Sequence, residues 1–128
     1  MHVFIAGAGY VGLEVAKLLA EQGIRVTVGQ RSLRALPDGI LGAPFHLEDE
    51  AMVLPTQTTH LVFAAAPDKS EDPVAAYERV YVQGMRNLLA AADRQALQLK
   101  RVVFTSSTAV YATLDGAKVD ESTPTGSH

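Results

Sequence analysis

The stretch that decides the fold is "HVFIAGAGYVGLEVAKLLAEQG", residues 2–23. It begins with a short apolar run rich in β-branched and aromatic residues, which is typical of a buried strand. Three glycines follow in the pattern G-x-G-x-x-G, namely Gly7, Gly9 and Gly12. From Tyr10 the apolar residues recur at helical spacing, and Gly23 stands where the helix should end. A strand that enters a glycine-rich turn and leaves it as a helix is the arrangement that binds dinucleotides.

Each glycine of this motif has its own physical role. Gly7 permits a tight turn, and Gly12 allows the helix to pack closely on the strand. Gly9 has no side chain, so a pyrophosphate can approach the backbone and meet N–H groups at the positive end of the helix. We expect Tyr10 and Val11, at the start of that helix, to belong to the same cofactor site. The alternative interpretation is a glycine-rich turn without a ligand.

The end of the second strand indicates which dinucleotide is bound. The strand is "IRVTV", residues 24–28, and Gln30 stands where an NAD-binding domain usually has Asp or Glu for the ribose 2′-hydroxyl. Arg31, Ser32 and Arg34 follow. Because a guanidinium pairs with a phosphate in fork geometry, these residues favour NADP over NAD. Ordinary solvated surface charge is the alternative for the two arginines.

Strand-like and helix-like segments alternate along the rest of the chain. Further strands are predicted at residues 43–47, 60–66 and 101–107. A short helix is expected over 48–54 and a long one over 73–98, where Asp72 can cap the helix and Pro73 can begin it. This alternation predicts an α/β fold with a parallel sheet and helices on both faces. Right-handed crossovers then give the strand order 3-2-1-4-5.

Small and acidic residues near the strand ends extend the predicted site. Ala64, Ala65 and Ala66 follow strand four, where bulk would block a dinucleotide, although simple packing explains three alanines equally well. Glu48 and Asp49 could face the adenine edge, but exposed acids at a helix start are an equal explanation.

Composition narrows the class of protein. The chain has 128 residues, a formal net charge of -3 and no cysteine, which suits one domain without disulfides or thiolate zinc sites. No basic stripe favours nucleic-acid binding, and the four histidines lack metal-ligand spacing. The N-terminus is unlike a signal peptide, and no apolar run approaches the ~20 residues of a membrane span. We therefore expect a cytoplasmic protein that binds no metal and no membrane.

Five segments in one order carry a family resemblance: "AGAGYVG", "LVFAAAPD", "YERVYVQGMRNLLAAA", "RVVFTSSTAVYA" and "VDESTPTG". The chain resembles the N-terminal part of an extended or atypical short-chain dehydrogenase/reductase, the NAD-dependent epimerase/dehydratase family of nucleotide-sugar enzymes. The "SSTAVY" block with the downstream "DES-P" is the most specific piece. The resemblance implies that residues 1–128 are a Rossmann-type NAD(P)-binding domain. It also implies that this domain is incomplete and that the substrate-binding region of the family, which would follow it, is absent from this span.

The resemblance also implies one catalytic residue within this chain and a catalytic pair that the chain lacks. Ser107 would hydrogen-bond the reacting hydroxyl or carbonyl, with Ser106 beside the nicotinamide. The family's catalytic Tyr-x-x-x-Lys pair, in which the lysine charge lowers the tyrosine pKa, would begin just past His128. We therefore expect this span alone to be inactive, as part of a longer chain, a truncated form or a natural remnant. Ala6 in place of a first glycine, and Tyr81 in place of an asparagine, are features of the atypical branch.

Two classes of function remain open at this point. One is an NAD(P)-dependent oxidoreductase or epimerase that acts on a small nucleotide-sugar-like or other hydroxyl substrate. The other is a non-catalytic NAD(P)-binding module or sensor, and the residues that follow position 128 would distinguish the two. The opening also resembles the NAD(H) domain of flavin disulfide reductases, but those have an acid after strand two and no "SSTAVY" block. The family resemblance further implies a homodimer through the 73–98 helix.

Overall fold

A five-stranded parallel sheet forms the centre of the computed structural model, which describes residues 1–68, 72–106, 111–113 and 115–126. The strands are β1 (His2–Ala6), β2 (Arg25–Gln30), β3 (Ile40–Pro44), β4 (His60–Phe63) and β5 (Arg101–Phe104). Their order is β3-β2-β1-β4-β5, so the predicted 3-2-1-4-5 order is confirmed. The order reverses between β1 and β4, and this reversal opens a crevice at the carboxyl ends of the strands.

One helix follows β1 and a longer, composite helix follows β4. The elements are α1 (Tyr10–Glu21), α2 (Pro73–Tyr77), a π-helical segment (Glu78–Gly84) and α3 (Met85–Arg94). The last three are continuous over residues 73–94. The Asp72 carboxylate accepts hydrogen bonds from the backbone N–H groups of Val74 and Ala75, each at 3.1 Å, which confirms the predicted helix start. No helix of the described residues has the length and apolar character needed to cross a membrane.

Two apolar layers hold the helices against the sheet, because successive side chains of a strand point to opposite faces. On one face, Val3 and Ile5 of β1 pack with Ala16 of α1. On the other face, Phe4 and Ala6 pack in a cluster that contains the following residues of β4 and α3: Leu61, Phe63, Leu88, Ala91 and Ala92. The prediction of helices on both faces is therefore confirmed.

Several boundaries predicted from the sequence are wrong. The third strand covers Ile40–Pro44 rather than 43–47, β4 and β5 end at Phe63 and Phe104, and the long helix ends at residue 94 instead of 98. Segment 48–54 forms turns rather than a helix. A tertiary contact explains why the end of that segment is not helical. The Gln95 side chain accepts a hydrogen bond from the Leu54 N–H at 2.8 Å and donates one to the Leu54 carbonyl at 2.9 Å.

The glycine turn brings α1 unusually close to β1. A Cβ placed on Gly12 would collide with the carbonyl oxygen of Gly7 and would lie 3.3 Å from Cγ2 of Ile5. Gly7 has φ +120°, and a Cβ there would lie 2.6 Å from the backbone nitrogen of Ala65. Both contacts involve backbone that cannot move without shifting a strand, so both positions require glycine.

We expect Gly12→Ala to destabilise the fold by about 1–3 kcal/mol, because overpacking forces α1 away from β1. Urea unfolding measures this loss. Gly9→Ala is the matched control, since a Cβ on Gly9 meets nothing within 4 Å and its φ is −79°; its loss should be about 0.5 kcal/mol, for the poorer helix cap. Equal losses in the two variants would contradict the close-packing explanation.

His2 is a buried titratable residue at the amino end of β1. Its side chain is 4% exposed, and Nε2 lies 2.9 Å from Oγ1 of Thr27 on β2. Burial, and secondarily the charge of Arg25, lower the pKa of His2 below the ordinary value of 6.5. The unfolded chain therefore binds a proton at this residue at a higher pH than the folded chain does. Stability consequently falls as the pH drops below about 6.5.

We expect His2→Gln to reduce the loss of unfolding free energy between pH 7.5 and pH 5.5, because the buried group that resists protonation is gone. Urea titrations at the two pH values measure the loss. His46→Gln, at an exposed histidine, is the control and should leave the pH dependence as it is in the original chain. An unchanged pH dependence in His2→Gln would show that His2 does not contribute.

Candidate functional site

A crevice with a volume of about 920 Å³ lies at the carboxyl ends of the strands. Its walls come from the residues after β1, β2, β3 and β4 and from the π-helical segment. In open α/β sheets, this position beside the reversal of strand order is where ligands bind. The volume is within the range of small-molecule and cofactor sites.

The N-terminus of α1 forms the floor of the crevice with bare backbone. Gly9 is the N-cap and makes no side-chain cap hydrogen bond, and the first turn of α1 contains no acidic residue. The Leu13 N–H donates to the Gly9 carbonyl at 3.0 Å, so helix geometry leaves the N–H groups before it without intrahelical acceptors. The space in front of the Gly9 Cα is open to 4 Å. This end of α1 therefore offers N–H donors and a positive helix dipole to an anion.

The structure brings most of the predicted cofactor residues together. Those that line the crevice are Gly7, Gly9, Tyr10, Val11, Gln30, Arg31, Ser32, Arg34, Ala64, Ala65 and Ala66. Gly12 and Ser106 are not among the lining residues; Gly12 packs against the Gly7 backbone, and Ser106 is exposed. Ser107, the predicted catalytic residue, lies outside the described residues. The roles of all these residues in binding a cofactor or a substrate stay predictions.

Gln30 supports the loop that carries the two arginines. Its side chain is buried, and Oε1 accepts a hydrogen bond from the Arg34 N–H at 3.5 Å, a long bond. A Cβ on Gly42 of β3 would lie only 2.9 Å from the same oxygen. Gln30 thus extends toward β3, and the residues that follow it form the rim of the crevice.

Arg31 makes a bidentate ion pair across the rim with Asp68, which follows β4. Its Nη1 donates to Oδ2 at 2.9 Å and its Nη2 donates to Oδ1 at 3.2 Å. The hydrogen bond from Arg31 lowers the pKa of Asp68, and the same bond raises the pKa of Arg31. Both side chains are more than 60% exposed, so solvent screens the pair. Arg31 is therefore paired within the described residues, rather than being an isolated surface charge.

A second ion pair lies on the same rim. Nε of Arg79, in the π-helical segment, is 3.3 Å from Oε1 of Glu48, and both residues line the crevice. Asp49 is not among the lining residues; its Oδ1 accepts from the Ala51 N–H at 2.9 Å. Of the two acids considered from the sequence, only Glu48 thus reaches the crevice.

Sequence reasoning missed the lining residues that follow β3 and β4. Phe45, His46 and Leu47 fall within the predicted third strand, 43–47, whereas β3 ends at Pro44 and these three residues follow it. Asp68 could have been found, since it follows β4 within six residues and the carboxyl ends of parallel strands share one edge. Nothing in the sequence indicates that Arg79 belongs to the site. Helical periodicity does not reveal the π-helical segment or the direction in which that segment presents the Arg79 side chain.

Comparisons with known proteins agree with this geometry. The NAD dependent epimerase/dehydratase family model matches residues 3–128. Among curated proteins, none matches the chain in sequence. A solved UDP-galactose 4-epimerase is 22% identical with a TM-score of 0.80, over 98% of this chain and 45% of that one.

Two further solved structures share the fold and contain NAD. The Bordetella bronchiseptica enzyme WbmG in complex with NAD and UDP is 21% identical, with a TM-score of 0.74, over 97% of this chain and 43% of that one. A short-chain dehydrogenase/reductase superfamily protein from Agrobacterium tumefaciens with bound NAD is 25% identical, with a TM-score of 0.74, over 100% of this chain and 40% of that one. The chain spans less than half the length of each of these proteins. Because the family model matches almost every residue of the chain, the protein belongs to the NAD dependent epimerase/dehydratase family.

Proposed function

We propose that the chain is the NAD(P)-binding domain of an epimerase/dehydratase-type oxidoreductase. The observation that carries the proposal is the open crevice at the N-terminus of α1, where no side chain caps the helix and a Cβ on Gly9 would meet nothing within 4 Å. A dinucleotide pyrophosphate has the charge and the oxygen acceptors that such a helix end attracts. The NAD-containing structures with the same fold support this assignment.

Different residues of the crevice would contact different parts of a bound dinucleotide. The pyrophosphate would lie against Gly9 and the first turn of α1, while the small side chains of Ala64 and Ala65 leave room for the ribose beside it. Gly7 holds the turn in position through its close contact with Ala65. The bound nicotinamide would supply hydride transfer. Ser107 is proposed to hydrogen-bond the reacting oxygen of the substrate, with Ser106 beside the nicotinamide.

NADP is the proposed cofactor, with NAD as the weaker ligand. A carboxylate at the end of β2 would bind a ribose 2′-hydroxyl and repel a 2′-phosphate, and Gln30 stands there instead, with its side chain buried. Arg31, Ser32 and Arg34 lie on the rim beside it. A guanidinium provides paired N–H donors to a phosphate, so these residues support a preference for the phosphorylated ribose.

The substrate is proposed to be a nucleotide-sugar-like molecule. A UDP-galactose 4-epimerase and an enzyme holding UDP share this fold, which supports that class. No Tyr-x-x-x-Lys pair occurs within residues 1–128, which supports cofactor binding without turnover for this span. The alternative proposal is a non-catalytic NAD(P)-binding module or sensor that lacks this pair. We also propose a homodimer through the composite helix of residues 73–94, which the exposed side chains of Val74 and Tyr77 support. A cytoplasmic location completes the proposal.

We expect Gly9→Val to weaken NADP(H) binding at least about tenfold, because the side chain would occupy the space in front of the α1 N–H groups. Calorimetric titration measures the affinity, and urea unfolding measures stability. Ala90→Val, at an exposed position of α3 outside the crevice, is the control and should bind normally. Unchanged affinity in Gly9→Val, or no dinucleotide binding by the original chain, would refute the proposed function.

We expect Arg31→Gln to lower the ratio of NADP(H) affinity to NAD(H) affinity about tenfold, because a charged hydrogen-bond donor to the 2′-phosphate is lost. Titration of the same preparation with both cofactors gives the ratio directly. A ratio that stays the same in Arg31→Gln would remove the argument for NADP while leaving dinucleotide binding intact.

A further inference from the structure

Four charged side chains from four separate segments stand on the rim of the crevice. Arg31 follows β2, Glu48 follows β3, Asp68 follows β4 and Arg79 belongs to the π-helical segment. They form two ion pairs, Arg31 with Asp68 and Arg79 with Glu48. With Arg34, which also lines the crevice, the described part of the rim therefore carries only one net positive charge, because Glu48 and Asp68 offset two of the three arginines.

The pair of Arg31 with Asp68 occupies the Nη1–Nη2 side of the guanidinium, one of the sides on which a phosphate can accept two hydrogen bonds. Asp68 accepts from Nη1 at 2.9 Å and from Nη2 at 3.2 Å, one bond to each carboxylate oxygen. A ribose 2′-phosphate approaching the same fork would meet these two donors already occupied. It would also meet the negative charge of Asp68, since like charges brought together weaken binding. A 2′-hydroxyl carries no charge and does not meet this repulsion.

Resting on the proposed function, we infer that Asp68 is a specificity-determining residue whose carboxylate competes with the 2′-phosphate of NADP for the Arg31 guanidinium. The competition lowers the affinity for NADP and leaves that for NAD nearly unchanged. Asp68 thereby keeps the preference between the two cofactors modest, even though β2 lacks an acidic residue at its end.

The arginine of the second ion pair, Arg79, is a second cation with which the Asp68 carboxylate can interact. The charge of Arg79 acts on Asp68, and the charge of Glu48 acts on Arg31, which puts the four groups within electrostatic reach of one another. When a phosphate takes Arg31, the Asp68 carboxylate can turn toward Arg79. Asp68 would then share Arg79 with Glu48, and because the groups are exposed, added salt should weaken the effect.

The test compares Asp68→Asn with the original 128-residue chain. The probes are NADP(H), NAD(H), and the fragments adenosine 2′,5′-bisphosphate and AMP, which differ only in the 2′-phosphate. We expect NADP(H) and the bisphosphate to bind about tenfold more tightly to Asp68→Asn in low salt, and NAD(H) and AMP to change less than about twofold. Calorimetric titration at two salt concentrations measures all four affinities.

Two further variants isolate the cause. Asp93→Asn removes one carboxylate from α3, outside the crevice, and should leave the ratio of NADP(H) to NAD(H) affinity unchanged. In the Arg31→Gln background, Asp68→Asn should raise that ratio only about threefold rather than about tenfold, because the competition for the Arg31 guanidinium is gone and only the direct charge repulsion is relieved.

The outcomes separate this inference from the proposed function. Dinucleotide binding with an unchanged ratio in Asp68→Asn overturns the inference alone. Weaker NADP(H) binding in Asp68→Asn also overturns it, since Asp68 would then be orienting Arg31 for the phosphate rather than competing with it. Failure of the original chain to bind any of the four probes refutes the proposed function, and the inference with it.

Discussion

The contact between the glycine turn and the residues after β4 is the constraint on which the site depends. Gly7, at a positive φ, lies so close to the Ala65 backbone that a Cβ would have no room, and the Ala64 N–H donates to the Ala6 carbonyl at 2.9 Å. This contact holds the start of α1 beside the end of β4. The crevice is the space that remains above it. Without this close approach, the N-terminus of α1 would not face the reversal of strand order where a ligand can enter.

The rim above this floor is organised by charge rather than by packing. The ion pairs of the rim join segments that are far apart in the sequence, and all their side chains are at least 44% exposed. Such pairs contribute little to stability, typically about 0–1 kcal/mol. Their importance is the set of donors and acceptors that they offer to an incoming ligand. Under the proposed function, floor and rim would have different roles: the floor would attract the pyrophosphate of any dinucleotide, and the rim would distinguish one ribose from another.

Fold and chemistry are separable in this protein. The fold is shared with chains more than twice as long, at identities of 21–25%. A fold of this kind supports many reactions, so the reaction has to be argued from particular side chains. Under the proposed function, the side chains of residues 1–128 would bind the cofactor and discriminate between its two forms, and no Tyr-x-x-x-Lys pair is among these residues.

The sequence by itself determined the local elements and their order. The apolar run before Gly7, the helical spacing from Tyr10 and the cap at Asp72 all depend on neighbours within a few residues, so they could be predicted without a structure. The parallel order followed from the alternation of strands and helices and the handedness of crossovers. Because the strands are parallel, the glycine turn after β1 and the end of β2 had to lie at the same edge of the sheet.

Only the tertiary structure decided the features that depend on distant partners. Segment 48–54 has helix-like composition, but it forms turns and irregular backbone, and the backbone of Leu54 at its end bonds to the side chain of Gln95, about forty residues away. β3 begins at Ile40 because it pairs in register with Val26 of β2. Likewise, nothing in the residues around Arg31 reveals that its partner is Asp68, 37 positions further on. Local sequence determines which structure a segment favours; long-range hydrogen bonds and ion pairs are decided when the sheet brings separate segments together.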